Sequence, residues 1–329
     1  MESFLFALNA VLPIVLTVAV GYGLKRIGWL NVTLSKALNK LVFRVFLPLM
    51  LFLNVYRIES LSLSYAGYLG YMIGVLAVVF FLVLPLIRWV TPDGRRRGVL
   101  LQASFRSNFA LIGIPLAESI AGTAGVQTAT LTAAFVVPVF NVLSVISLSI
   151  FGTGEKKPSV KKIFLDILTN PLIDSIALGF VFLGLRALFG RFGVAFRPEN
   201  LTVVWSVVED LAGLATPLAL LSLGSQFEFS AIRSQRKELT FALVMRHVVF
   251  PILGIGSAYL FFANTFDAGQ FAVLIAVFAT PVAVSSVPMA QEMGSDSILA
   301  GQIVVFTTLL SSLSVFLACF LLKLAGVFG

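Results

Sequence analysis

The sequence predicts an all-α polytopic membrane protein, and three observations support this fold class. Hydrophobic residues make up 59% of the 329 residues and charged residues only 12%, which leaves too few charges to cover a soluble domain. The mean hydropathy is +1.02. Apolar runs of roughly 20 residues, the length that crosses about 30 Å of hydrocarbon, recur along the chain. Such runs must be helices, because backbone groups in lipid need partners within their own segment.

Ten apolar segments are predicted to span the membrane. The first lacks a basic leader and a small-residue cleavage site, so it is predicted to be a retained helix and not a signal peptide. The polar segment 152–162 is predicted to be a short cytoplasmic linker between a first five-helix repeat (1–151) and a second (163–329). The predicted spans cover residues 4–24, 34–55, 65–90, 97–119, 124–151, 163–188, 201–225, 237–263, 268–291 and 297–324.

The distribution of basic residues predicts the orientation of these spans. If the N-terminus lies outside, most of the 23 Lys and Arg residues fall in inner loops, which is the bias that membrane proteins show. We therefore expect a multi-pass protein of the plasma (inner) membrane with both termini outside. The basic inner positions are Lys25, Arg26, Lys36, Arg88, Arg95, Arg96, Arg97, Lys156, Lys157, Lys161, Lys162, Arg233, Arg236 and Lys237.

Composition also argues against several classes of function. Inner loops account for the net charge of +8, so no nucleic-acid partner is expected. A single cysteine, Cys319, excludes an intramolecular disulfide, and a single histidine, His247, disfavours a metal centre. The sequence contains no motif of a metalloprotease, a serine hydrolase or a phosphate-binding loop. We therefore predict neither an enzyme nor a cofactor, and a gradient or the membrane potential must supply the energy for any transport.

Two stretches of the chain resemble each other and lie in the fourth and ninth predicted spans. The first reads NFALIGIPLAES from Asn108, and the second reads PVAVSSVPMAQE from Pro281. This alignment pairs Pro115 with Pro288. Because each repeat has an odd number of spans, the second repeat must insert upside down, and inverted repeats are typical of secondary transporters.

The paired prolines predict where these two spans are interrupted. Pro115 and Pro288 each remove a backbone donor within an apolar span. Gly113 and Ser285 stand just before them, and such residues tolerate or satisfy an irregular backbone. We expect both spans to be broken near the bilayer midplane and to cross there, so that the positive ends of two helices meet at an anion site. A simple kink at each proline is the alternative.

Four stretches in chain order also resemble one transporter family. They are SNFALIGIPL at 107–116, TNPLIDSIALG at 169–179, LATPLALLSLG at 214–224 and ATPVAVSSVPMAQEMG at 279–294. Together they are similar to the auxin efflux carrier family, in the superfamily of bile acid, arsenite and riboflavin transporters, and the short linker resembles prokaryotic-type members. The resemblance implies ten helices, a scaffold domain and a transport domain, crossing of spans four and nine, an elevator mechanism and often a homodimer.

The resemblance also implies a class of substrate. Members of the family move small organic anions, either an auxin-like acid or a dicarboxylate such as malate or malonate, and we predict export across the plasma membrane. One alternative is a symporter that imports an organic or bile acid together with Na⁺ or H⁺. An anion channel is the alternative from a different class of protein.

Polar and hinge residues of the broken spans form the predicted substrate site. The amide of Asn108 offers donors to a carboxylate, although asparagines also join helices by hydrogen bonds in lipid. Asn141 in span five is open to the same two interpretations. Arg106 and Arg246 are assigned to the cytoplasmic ends of their spans and are not predicted to bind substrate. The predicted substrate-binding residues are Asn108, Gly113, Ile114, Pro115, Asn141, Pro281, Ser285, Ser286, Val287 and Pro288.

Acidic and amide residues near span ends are the candidates for ion coupling. Bile acid–sodium symporters in the superfamily use a Glu and a Gln of the ninth span, which by resemblance makes Gln291 and Glu292 candidates for Na⁺. Asp174 is a further candidate, because a carboxylate inside a bilayer is costly and usually functional. Glu118 completes this set. The alternative is that these side chains are interfacial groups at helix ends.

Overall fold

A computed structural model describes residues 2–58, 65–151, 160–193 and 197–328. Within these ranges the chain is helical apart from short connections, and no strand occurs in them. A single isolated antiparallel bridge joins Ser107 to Val282 there. The predicted all-α class of polytopic membrane protein is therefore confirmed. Residues 152–159 of the predicted linker lie outside the described ranges.

The helices are named α1 to α13 in chain order. They are α1 (Glu2–Arg26), α2 (Val32–Tyr56), α3 (Ala66–Val90), α4 (Gly94–Phe105), α5 (Phe109–Phe151), α6 (Val160–Leu168), α7 (Pro171–Arg191), α8 (Thr202–Gln226), α9 (Phe229–Ser234), α10 (Arg236–Phe262), α11 (Ala268–Phe278), α12 (Ser286–Glu292) and α13 (Ser297–Leu324). The 3₁₀ turn Pro198–Asn200 precedes α8.

Seven helices in the described ranges are long and apolar enough to cross a membrane, namely α2, α3, α5, α7, α8, α10 and α13. Helix α5 bends at Gly122, whose φ of 57° and ψ of −140° suit a residue without a β-carbon. It therefore combines the end of predicted span four with predicted span five. Predicted spans 97–119 and 268–291 are interrupted by non-helical residues. The count of ten spans and its division into two repeats stay predictions.

Three long helices pass through a proline by widening the turn before it. A π-helical segment in each of α2, α5 and α10 ends two residues before the proline. A proline donates no N–H and its ring crowds the preceding turn, and a π-bulge relieves both problems. A proline in this chain therefore does not by itself mark a break. The prolines are Pro48, Pro115 and Pro251.

Glycines bring α1 and α8 into close contact. A β-carbon on Gly21 would lie 2.2 Å from the carbonyl oxygen of Leu221, and one on Gly224 would lie 2.0 Å from that of Val18. Small residues let membrane helices approach until their backbones touch. Helices α1 and α8 therefore pack as a close pair, and α8 in turn contributes residues to the cavity described below.

Candidate functional site

The chain leaves helical geometry between α4 and α5 and again between α11 and α12, and these two non-helical segments lie side by side. The backbone N–H of Asn108 donates to the carbonyl oxygen of Pro281 at 2.9 Å. The N–H of Ala283 donates to the carbonyl oxygen of Arg106 at 3.4 Å. Lipid offers no hydrogen-bond partners to exposed backbone groups. Each segment therefore provides backbone hydrogen-bond partners for the other.

The interruption in the fourth span lies earlier than the sequence analysis predicted. Helix α4 ends at Phe105 and α5 begins at Phe109, whereas the prediction placed the break directly before Pro115. That proline instead lies inside α5, behind the π-helical turn. In the ninth span the break does precede the proline, because Pro288 lies in the first turn of α12. A proline is tolerated there, since first-turn N–H groups have no partner within the helix.

A cavity of about 130 Å³ lies against the junction of the two segments. Residues of both segments form one side of it, and α2, α5, α7 and α8 form the rest. Three of the predicted substrate-binding residues are among its polar lining. That lining consists of Asn54, Arg106, Ser107, Asn108, Asn141, Thr216 and Ser285, and the apolar lining includes Leu47, Met50, Leu51, Leu111, Val137, Phe140 and Leu172.

The guanidinium of Arg106 is the charged group of this cavity. Its side chain lies in the break itself and the residue is 3% exposed. One terminal nitrogen donates to Asn141 Oδ1 at 3.0 Å and to Ser285 Oγ at 2.9 Å, and the other to Met289 Sδ at 2.7 Å. All these acceptors are neutral, and no carboxylate of the described residues pairs with it. The cavity therefore carries a buried positive charge, and a charged group of this kind inside a membrane protein is a candidate functional group.

Asn108 adds a second donor beside this charge. The residue is 8% exposed, and its side-chain Nδ2 has no hydrogen-bond partner among the described residues. It stands directly before α5 but does not cap that helix with its side chain. A buried amide donor without a partner is costly, and an oxygen atom of a bound anion would satisfy it.

Comparison with known proteins identifies the family. A family model described as "Membrane transport protein" matches residues 6–319. The chain belongs to this family. Because the family is auxin efflux carrier-like, the resemblance drawn from the four sequence stretches is confirmed. A similar protein is an uncharacterized transporter of Methanothermobacter thermautotrophicus, which is 24% identical over 318 residues that cover 94% of this chain and 97% of the relative.

As a member of this transporter family, the chain is a multi-pass membrane protein, and its other predicted site residues can be placed on the fold. Gly113 lies under α11, where a β-carbon would come within 2.3 Å of the Phe109 ring and 3.1 Å of the Ala276 carbonyl oxygen. Its role here is close packing. Seven of the predicted substrate-binding residues do not line the cavity: Gly113, Ile114, Pro115, Pro281, Ser286, Val287 and Pro288.

The predicted ion-coupling residues lie away from the cavity. Both side-chain atoms of Gln291 are engaged by α2, because Nε2 donates to the Lys36 carbonyl oxygen at 3.1 Å and Oε1 accepts from Asn39 Nδ2 at 2.9 Å. Glu292 pairs with Arg44 at 3.4 Å. Glu118 and Asp174 are exposed. The described residues contain no group of three or more His, Cys, Asp or Glu that could hold a metal ion.

The second arginine that the sequence analysis assigned to a span end, Arg246, also lies in the interior. It is fully buried, and its Nε donates to the Thr280 carbonyl oxygen at 2.7 Å while Nη2 donates to that of Val277 at 3.1 Å. The Val277 carbonyl belongs to the last turn of α11, where the helix dipole is negative, and Thr280 lies two residues beyond the end of that helix. The ring of Phe250 lies 4.6 Å from the guanidinium carbon. Arg246 thus stabilises the interrupted helix and does not line the cavity.

Proposed function

We propose that this transporter carries small organic anions and binds their carboxylate at Arg106 and Asn108. The observation that supports the proposal is the buried Arg106 guanidinium, which lines the cavity without a carboxylate partner among the described residues. An anion in the cavity would neutralise this charge. The planar guanidinium also matches the two oxygens of a carboxylate, and the unpartnered Asn108 Nδ2 would be a further donor.

The size and lining of the cavity favour small monocarboxylates over the auxin-like acids, dicarboxylates and bile acids that the sequence analysis names. Its volume of about 130 Å³ is close to the roughly 150 Å³ of a cavity that accepts benzene, so an indole acid or a bile acid would require a wider state. Arg106 is the sole cation among the lining residues. A second carboxylate, as in malate or malonate, would meet apolar or neutral side chains and lose hydration without compensation.

The mode of transport is part of the same proposal. The two interrupted spans would cross near the bilayer midplane and move with the bound anion against α1, α2, α7 and α8, as an elevator. Export across the plasma membrane needs no second ion, because a potential of 100 mV contributes about 2.3 kcal/mol per exported charge. The proposal includes both termini on the outside, which the loop charges favour, and a homodimer, which the family resemblance implies.

Solid-supported-membrane electrophysiology on proteoliposomes tests the proposal. We expect a saturable current with a small monocarboxylate and no Na⁺ or pH gradient, and we expect Arg106→Gln to lower the apparent affinity for the acid strongly. Silence with every acid tested, from protein shown to be folded, would contradict organic-anion transport.

The same measurement separates the alternatives. Symport with Na⁺ or H⁺ predicts a current that appears only with an ion gradient. The hydrogen bonds and ion pair that engage Gln291 and Glu292 argue against a sodium site at these two residues in this conformation. An anion channel predicts a current that does not saturate with substrate concentration.

A further inference from the structure

We infer that the transported acid carries a neutral hydrogen-bonding group at the end opposite its carboxylate, and that Asn54 and Thr216 bind this group. The inference rests on the proposed function, since it assumes that Arg106 holds the carboxylate. It concerns the part of the cavity lining that α2 and α8 contribute.

One face of α2 lines the cavity and changes character along its length. Leu47, Met50, Leu51 and Asn54 follow the i, i+3, i+4, i+7 spacing of a helix face, and all four line the cavity. The first three are apolar, and Asn54 ends the row. Its side chain is exposed there, and it makes no hydrogen bond to any described residue. Because this amide faces the cavity and not a protein neighbour, its donors and its acceptor are available to a molecule bound there.

Thr216 on α8 is the second unpartnered group on this side. Helical threonines usually donate their hydroxyl to the carbonyl four residues earlier. Thr130 and Thr308 do so in this chain, at 2.9 and 2.6 Å. Thr216 makes no such bond among the described residues, and α8 is irregular just before it, at Leu214, between Gly213 and Ala215. Its hydroxyl therefore remains available to a molecule in the cavity, between the small side chains of Ala215 and Ala219.

The chemistry of these two residues defines the group they would bind. An amide and a hydroxyl both donate and accept, so they suit a hydroxyl, an amide or a ring N–H. Neither is charged, and the lining holds no cation besides Arg106, so a second carboxylate would be poorly bound. With about 130 Å³ available, a short hydroxy acid fits, because a cavity of similar size accepts benzene.

A pair of acids of equal size tests the inference. 4-Hydroxybutanoate and pentanoate differ by a hydroxyl in place of a methyl group, and both carry one carboxylate. In proteoliposome current measurements, we expect the wild-type protein to bind 4-hydroxybutanoate about tenfold more tightly than pentanoate, the size of one or two hydrogen bonds. In the double variant Asn54→Leu/Thr216→Val, the ratio of the two affinities should fall to about one. The control Thr130→Val, which removes a hydroxyl satisfied within α5, should keep the wild-type ratio.

The outcomes separate this inference from the proposed function. No saturable current with either acid, from folded protein, would overturn the function and the inference together. Currents with both acids at equal affinity would overturn the inference alone. Tighter binding of succinate would overturn the inference and also the preference for monocarboxylates, while leaving organic-anion transport itself standing. A preference for the hydroxy acid that survives in the double variant would overturn the assignment to Asn54 and Thr216.

Discussion

Arg106 and Arg246 are both buried in the protein interior, yet they have different kinds of partner. Arg246 donates to the main-chain carbonyls of Val277 and Thr280 and packs on the Phe250 ring. Arg106 donates to the side chains of Asn141, Ser285 and Met289 and lines a cavity. The partners of Arg246 are fixed parts of the fold, whereas those of Arg106 are neutral side chains that an anion can supplement.

The two sets of partners distinguish a structural cation from a ligand-binding cation inside a membrane protein. A helix end presents concentrated negative charge on its free carbonyls. The fold itself therefore stabilises an arginine beside it, even though Arg246 Nη1 has no hydrogen-bond partner among the described residues. Neutral side chains solvate a guanidinium but do not neutralise it. We therefore expect loss of Arg246 to affect folding, and loss of Arg106 to affect transport.

Arg246→Gln is expected to have the largest effect on stability. Removing the guanidinium leaves the carbonyls of Val277 and Thr280 buried with weaker partners, and hydrogen bonds to charged groups contribute about 1.5–3 kcal/mol each. A loss of about 3 kcal/mol should appear as a lower unfolding temperature in detergent and a lower yield. An unfolding temperature equal to that of Arg106→Gln would remove the distinction between the two arginines.

Arg106→Gln is expected to reduce transport strongly while leaving the fold intact. The variant loses the cation of the cavity, so the apparent affinity for a carboxylate should fall roughly a hundredfold, which corresponds to about 2.7 kcal/mol. The unfolding temperature of the empty protein should change little, because an uncompensated charge is removed from the interior. Thermal unfolding with and without the transported acid checks this: the acid should raise the unfolding temperature of the wild type and not that of the variant.

Gly254→Ala tests the packing behind Arg246 and should have an intermediate effect. A β-carbon at Gly254 would lie 2.2 Å from the Phe278 ring, so α10 would have to move away from α11. Overpacking of this kind costs about 1–3 kcal/mol. Gly256→Ala is the matched control, since its nearest atom is the Ile252 side chain at 3.9 Å. Equal unfolding temperatures for the two variants would show that Gly254 of α10 does not pack closely against Phe278 of α11.

Ser107→Ala should have the smallest effect. The Thr280 hydroxyl donates to the Ala276 carbonyl oxygen at 2.7 Å, so in the 2.7 Å contact between the two hydroxyls it is Ser107 that donates. Losing one neutral hydrogen bond costs about 1 kcal/mol. A double-mutant cycle with Thr280→Val, measured as free energies of unfolding, should give a coupling free energy of that size. If the effects of the two substitutions simply add, the contact between the two hydroxyls contributes nothing to stability.

The sequence predicts the helical membrane class and the family well, because apolar length and the motifs of spans four and nine are local features. It also predicts that these spans are interrupted and that Asn108, Asn141 and Ser285 are near each other. It misplaces the first interruption, since a π-bulge lets α5 continue through Pro115. The sequence places Arg106 at a span end, because its depth in the fold depends on where α4 begins and ends. Helix α4 begins after Asp93, whose side chain caps it. The sequence signal that could have identified Arg106 is a lone cation directly before the repeat motif.

The backbone bonds between the two interruptions have a consequence for biosynthesis. Ser107 and Thr280, which join the two segments, are 173 positions apart in the chain. The ribosome therefore delivers the first interruption to the membrane long before its partner has been made. Until then its backbone groups have no partner in lipid, so the insertion machinery must keep α4 and the start of α5 in contact with water or protein. The second half of the chain then supplies the backbone hydrogen-bond partners that the first interruption lacks until that point.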